Sequence, residues 1–224
     1  MFPNINIVEI LNIAVILVIS IGLHEYAHAW MSNHLWDPTP RLQWRLTPNP
    51  LAHIDPLWFL MLFIIRFWRG KPVQINPSYY QNPVLGEVMV AFAWPLMNIF
   101  LASISTLCIF IYYYIIWLQA LPIYDLQSII WSDFVLYFLY LFCTINISMA
   151  VFNMIPIPPL DGFRIFFAFS HRLASRINIY INQFPMIATV LVFSLFGGYI
   201  WHYVSLVSWY IRWRMYQIIW IFFL

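Results

Sequence analysis

Residues 7–33 read IVEILNIAVILVISIGLHEYAHAWMSN, an apolar run interrupted by one carboxylate, Glu9, until polar groups gather in its last third. A bilayer core takes about 20 helical residues to cross, so a run of this length is a spanning helix. The rest of the chain agrees. Of 224 residues 63% are hydrophobic and 8% charged, against roughly 45–50% apolar and about 25% charged in soluble domains. The expected fold class is an all-α membrane protein: a bundle of about four to six transmembrane or re-entrant segments, with a short strand or loop region after the first helix. Residues 1–224 form a single integral membrane domain, with a motif-bearing core over 7–165 and a C-terminal helical region over 166–224.

Residues 35–56 are proline-rich and polar, which opposes a long regular helix. The apolar run 57–67 is too short to span and reads as re-entrant or interfacial. Further spanning candidates cover 86–118, with Pro95 predicting a kink or an offset helix start, then 131–155 and 185–211. The first run has no basic residue before it and no cleavage site after it, so it is expected to be retained rather than processed. Cys108 and Cys143 lie in apolar stretches and form no disulfide or metal-site pattern. A net charge of +2 with dispersed basic residues points away from a nucleic-acid partner; the expected surroundings are the lipid bilayer. Loops rich in Lys and Arg stay in the cytoplasm. The loop 34–85 holds Arg41, Arg45, Arg66, Arg69 and Lys71, and 159–184 holds Arg164, Arg172 and Arg176. Both are expected to be cytoplasmic, in a multi-pass protein of the cell membrane. The ends of the first and third spanning helices then share that face. Arg212 and Arg214 oppose this scheme unless the fourth candidate does not cross fully.

His24-Glu25-Tyr26-Ala27-His28 matches H-E-x-x-H. On a helix the spacing of four puts both imidazoles on one face, able to chelate one zinc ion, with Glu25 beside them to take a proton from water. A catalytic zinc activates water and polarises a carbonyl at neutral pH, so the chemistry expected is peptide-bond hydrolysis. The bland alternative is a polar patch at a helix end, its histidines bonded to headgroups or a neighbouring helix. Ionisable groups within a spanning segment are expensive and are retained mainly for function, which favours the metal site. A third ligand is required. Asp161 in Asn153-Met154-Ile155-Pro156-Ile157-Pro158-Pro159-Leu160-Asp161-Gly162 follows the third helix, on the face that carries His24 and His28. Its alternative reading is an Asp-Gly turn. Glu9, Glu87, Asp125 and Asp133 are placed less well.

HEYAH and NMIPIPPLDG together resemble the site-2 protease family of intramembrane metalloproteases, in its compact prokaryotic branch without an inserted peptide-binding domain. DPTPRLQ, LTPNPLAHIDPL, KPVQINP, NPVLGE and PLMNIFLA are similar to that branch too, so the resemblance covers about residues 20–165. It implies that His24, His28 and Asp161 bind zinc, that Glu25 is the general base, and that Asn153 helps position or polarise the substrate. The implied substrate is another membrane protein, cut within or next to a transmembrane segment on the cytoplasmic side. His53 and Asn98 lie in recurring segments, but a loop hydrogen bond and an interhelical contact explain them equally well. The competing function is a membrane protein that keeps the metal site without proteolysis. A transporter would predict broken helices or inverted repeats, and neither is present in the sequence.

The chain departs from the family pattern in one consistent respect. It carries Trp36, Trp44, Trp58, Trp68 and Trp94 where relatives typically carry glycine, and it has twelve Trp against six Gly. Aromatic residues at the membrane interface account for Trp201, Trp209 and Trp213 better than for these five. One explanation is a gene whose UGA codons are read as glycine by its own cell, and as tryptophan in the translation.

Overall fold

The computed structural model describes residues 7–56, 71–118, 134–157, 160–168 and 202–210, with isolated positions at 198, 213, 214 and 217. Five α-helices are named here: α1 (Ile7–His34), α2 (Thr39–Leu42), α3 (Pro83–Leu118), α4 (Phe134–Asn153) and α5 (Asp161–Phe167). Short 3-10 turns cover Pro50–His53 and Pro77–Tyr79. Residues 202–210 are helical as well, within the fourth expected span, whose remainder lies outside the described residues apart from position 198. The short apolar run 57–67 and the linker 119–130 also lie outside them.

Among the described residues, three helices are long and apolar enough to cross a membrane: Ile7–His34, Pro83–Tyr112 and Phe134–Asn153. Lipid offers backbone groups no hydrogen-bond partner, so β-branched runs such as Ile13–Ile19 are helical there despite modest intrinsic propensity. The helix α3 starts where Asn82 accepts a hydrogen bond from the Leu85 amide at 3.1 Å and proline takes the first helical position. It runs on through Pro95 rather than beginning there. The helix α4 stops at Asn153, three residues before a proline that cannot continue it.

Helices α3 and α4 pack along much of their length, and α1 lies against both. Small and polar residues make the seam: Ala102 packs with Cys143 and Ile147, Ser105 donates to the Leu139 carbonyl at 2.6 Å, and the Asn146 amide donates to Ser20 at 3.0 Å. Between helices in lipid, close packing and hydrogen bonds of this type supply the association that hydrophobicity cannot. Leu96, Ile99, Phe100, Ile104, Leu107 and Ile111 project outward from α3 as an apolar face.

The proline-rich stretch after α1 forms short turns, and among the described residues it contains no paired strand. A buried carboxylate organises it. Asp37 accepts from the Ser32 hydroxyl at 2.7 Å and from the amides of Thr39 at 2.9 Å and Asn76 at 2.8 Å. The Tyr80 hydroxyl donates to Ser32 at 2.7 Å. Asp37 thus ties the end of α1 to the extended segment 71–76, whose other end is held where the Lys71 amide donates to the His53 carbonyl at 2.9 Å. Burial pushes the Asp37 pKa up, but the hydrogen bonds from Thr39, Asn76 and Ser32 outweigh it and hold the carboxyl below its ordinary value.

Candidate active site

His24 and His28 stand one turn apart toward the C-terminal end of α1, their ring centroids 4.9 Å apart. Alternation of α1, α3 and α4 brings the start of α5 back to the same end. Gly162 permits the approach: a side chain there would collide with the Met154 carbonyl, so α5 can sit on the end of α4 and deliver Asp161 inward. The Asp161 Oδ2 lies 3.2 Å from His28 Nε2 and 4.0 Å from His24 Nε2. Ligand atoms from these three residues all lie within 4.8 Å of one another. They are separated by 133 and 137 positions in sequence, so the convergence is a property of the fold.

The protonation pattern fits a cation. His28 Nδ1–H donates to the Val90 carbonyl of α3 at 2.9 Å, which leaves the Nε2 lone pair of a neutral ring facing a carboxylate oxygen. Two lone pairs at 3.2 Å repel unless a proton or a metal ion lies between them. Donors about 2.0–2.2 Å from one tetrahedral ion sit roughly 3.3–3.6 Å apart; the His28–Asp161 separation of 3.2 Å is close to that range, and the His24–Asp161 separation of 4.0 Å lies outside it. A backbone carbonyl that fixes the tautomer of a metal-binding histidine is the usual outer-sphere partner. Burial raises the Asp161 pKa, but with a proton between the two groups His28, then His24 and Arg164, outweigh burial and hold it at about 2. Asp161 is therefore ionised, as a ligand must be.

Glu25, on the same turn, is buried. Its Oε2 accepts from the Val73 amide at 2.9 Å, and its Oε1 lies 3.7 Å from His24 Nε2. One carboxylate oxygen is anchored and the other faces the histidines.

The remaining expected residues are placed differently. Asn153 is the last residue of α4 and half-buried; its side-chain amide donates to the Met149 carbonyl at 3.1 Å rather than to the histidines or Asp161. His53 is fully buried and donates to the Thr47 carbonyl at 3.0 Å, the loop hydrogen bond anticipated for it. Burial and Arg45 keep its pKa low despite the Thr47 carbonyl. The Asn98 amide lies 3.5 Å from the Asn146 carbonyl, an interhelical contact. Three features escaped sequence reasoning. The Val90 carbonyl and the Val73 amide are main-chain groups and leave no mark on residue identity. The third is a contact rather than a residue: Trp94, already set apart in the sequence as standing where relatives typically carry glycine, is fully buried and its indole meets the His24 ring at a centroid distance of 4.3 Å.

Comparison with known proteins bears on the same residues. The chain is 30% identical over 153 residues to "Putative zinc metalloprotease YwhC" of Bacillus subtilis (strain 168), covering 68% of this chain and 66% of that protein. It thus spans slightly less than two thirds of the length of the curated relative it matches. No solved structure matches it. The family model described as Peptidase family M50 matches residues 12–195, a span that takes in His24, Glu25, His28, Asn153 and Asp161. All but the first five residues of the motif-bearing core 7–165 fall within that match, and the chain belongs to peptidase family M50, the site-2 protease family.

Proposed function

We propose that the chain is an intramembrane zinc endopeptidase, hydrolysing peptide bonds within or next to transmembrane segments of other membrane proteins at the cytoplasmic side of the cell membrane. One observation carries the reading: His24 Nε2, His28 Nε2 and Asp161 Oδ2 converge beside a buried glutamate at the end of a helix apolar enough to span a bilayer. His24, His28 and Asp161 would hold one zinc ion. When bound, zinc supplies a Lewis acid that polarises the scissile carbonyl and makes water more acidic.

The protein's own groups do the rest. Glu25 accepts the proton of the attacking water and passes it to the leaving nitrogen, while the Val73 amide keeps its carboxylate in position. The Val90 carbonyl holds the His28 ring in the tautomer that leaves Nε2 free. Asn153, at the same end of α4, is the residue we assign to positioning the substrate backbone. A helical substrate must unwind locally, because its peptide carbonyls are already hydrogen-bonded.

A second reading is a membrane protein that binds the metal without cleaving. The packing of the Trp94 indole on His24 favours it, since that side chain takes up space at the site. Glu25→Gln separates the two. The variant is expected to retain one zinc per chain and lose cleavage of a membrane-anchored test substrate by about 10²–10⁴-fold, the usual contribution of a general base. Undiminished cleavage by this variant, together with insensitivity to zinc chelation, would rule the protease reading out.

A further inference from the structure

Two non-glycine residues among those described occupy the left-handed backbone region, and both are tryptophans: Trp36 at φ 74° and Trp44 at φ 58°. No glycine does. A bulky residue in that region is a genuine outlier. Tryptophan makes up 12 of 224 positions, so a chance origin would need the two strained sites to fall twice on a rare residue.

The hydrogen bonds show what the backbone requires at each place. At the end of α1 the Trp36 amide donates to the Asn33 carbonyl and the Asp37 amide to the Ser32 carbonyl, both at 3.1 Å. At the end of α2 the Trp44 amide donates to the Arg41 carbonyl at 3.1 Å and the Arg45 amide to the Pro40 carbonyl at 2.9 Å. Each is a complete Schellman motif, with its paired 5→2 and 6→1 bonds, and each puts tryptophan at the C′ position where glycine is the common residue. The indoles supply nothing that would repay the strain, being 75% and 86% exposed. Trp94 is misplaced in the opposite way. It is fully buried, yet its indole N–H finds no acceptor, whereas buried tryptophans ordinarily satisfy theirs. Trp30, stacked on His34, and Trp209, stacked on Trp213, are ordinary by comparison.

We infer that positions 36, 44 and 94 are glycine in the protein as its own cell makes it, specified by UGA codons which that cell translates as glycine. The Schellman geometry carries positions 36 and 44, independently of any activity. For position 94 the consequence rests on the proposed function: without the indole, the space against His24 is free for the substrate backbone and water.

The test is the codon at each position together with the mass of peptides spanning 36, 44 and 94 from the protein purified out of its native cell. UGA codons and glycine masses are expected. UGG codons, or tryptophan masses, overturn the inference whatever the cleavage assay gives. A second measurement compares the chain as written with Trp36→Gly/Trp44→Gly in micelles. The double variant is expected to melt at higher temperature, and a lower melting temperature contradicts the glycine assignment. Trp94→Gly is then assayed for zinc content and cleavage. Faster cleavage at equal zinc supports glycine at 94, and slower cleavage removes position 94 from the inference. A failure of the protease reading would instead appear as no cleavage by any variant, with the peptide masses unaffected.

Discussion

Glu25 has two oxygens with different tasks. Oε2 is held by the Val73 amide at 2.9 Å, and that leaves Oε1, on the His24 side, to exchange protons in the proposed mechanism. The arrangement requires the full length of the side chain. Glu25→Asp keeps the charge but withdraws the carboxylate by one methylene, so it cannot both reach Val73 and approach the histidines. Misplacing a catalytic group by about 1 Å can cost on the order of 10²-fold. Cleavage by Glu25→Asp is expected to fall by about that factor in kcat, with zinc content and KM near those of the parent. A fall in KM-dependent binding instead, with kcat preserved, would assign Glu25 to substrate docking. This residue and the two histidines were legible from sequence because helical spacing alone puts His24 and His28 on one face. Asp161 was legible only through topology, as the first carboxylate after the helix that returns to that face. What holds these groups in place was not legible: Val73 and Val90 act through the main chain, and almost any residue type other than proline, which has no N–H to donate, could have stood at 73.

At the scale of elements, the segment 71–76 is what brings Val73 to Glu25, and Asp37 is what fixes that segment to α1. Removing the carboxylate leaves the Ser32 hydroxyl and the Thr39 and Asn76 amides without their acceptor, each a buried or half-buried donor costing about 1 kcal/mol or more when orphaned. Asp37→Ala is expected to destabilise the protein by about 2–3 kcal/mol in a denaturation series, and to reduce cleavage while zinc occupancy holds. The same carboxyl sets an acid limit. Its pKa is lowered on folding, so its contribution is complete above the unfolded aspartate value of about 3.9. The contribution is lost as pH falls through the lower folded value. The parent's stability is therefore expected to drop below about pH 4 in part through Asp37, and the Asp37→Ala variant to drop less steeply over that window. An identical slope in both proteins would show that Asp37 does not link this loop to pH.

For the whole molecule, hydropathy predicted the three long helices to within a few residues, because a bilayer-length apolar run has little alternative to a helix. The offset start that Pro95 allowed for α3 is not seen; the helix begins at Pro83 behind an Asn82 cap, close to the expected residue 86. The bundle fixes the relative faces of the helix ends, and the basic residues of the loop 34–85 argue that the end bearing His24, His28 and Asp161 meets the cytoplasm. That orientation decides which side of a substrate helix is cut. It can be read with single cysteines and a membrane-impermeant maleimide: Ser78→Cys lies exposed in the loop before α3, and Ser128→Cys falls between α3 and α4 in sequence, outside the described residues, where alternation of the spans predicts the opposite side of the membrane. The native Cys108 and Cys143 sit within α3 and α4, so the parent chain gives the background. Ser128→Cys is expected to react in intact cells and Ser78→Cys only in inside-out vesicles. The reverse pattern would turn the site toward the outside, leaving its chemistry intact but requiring substrates cleaved at their outer ends.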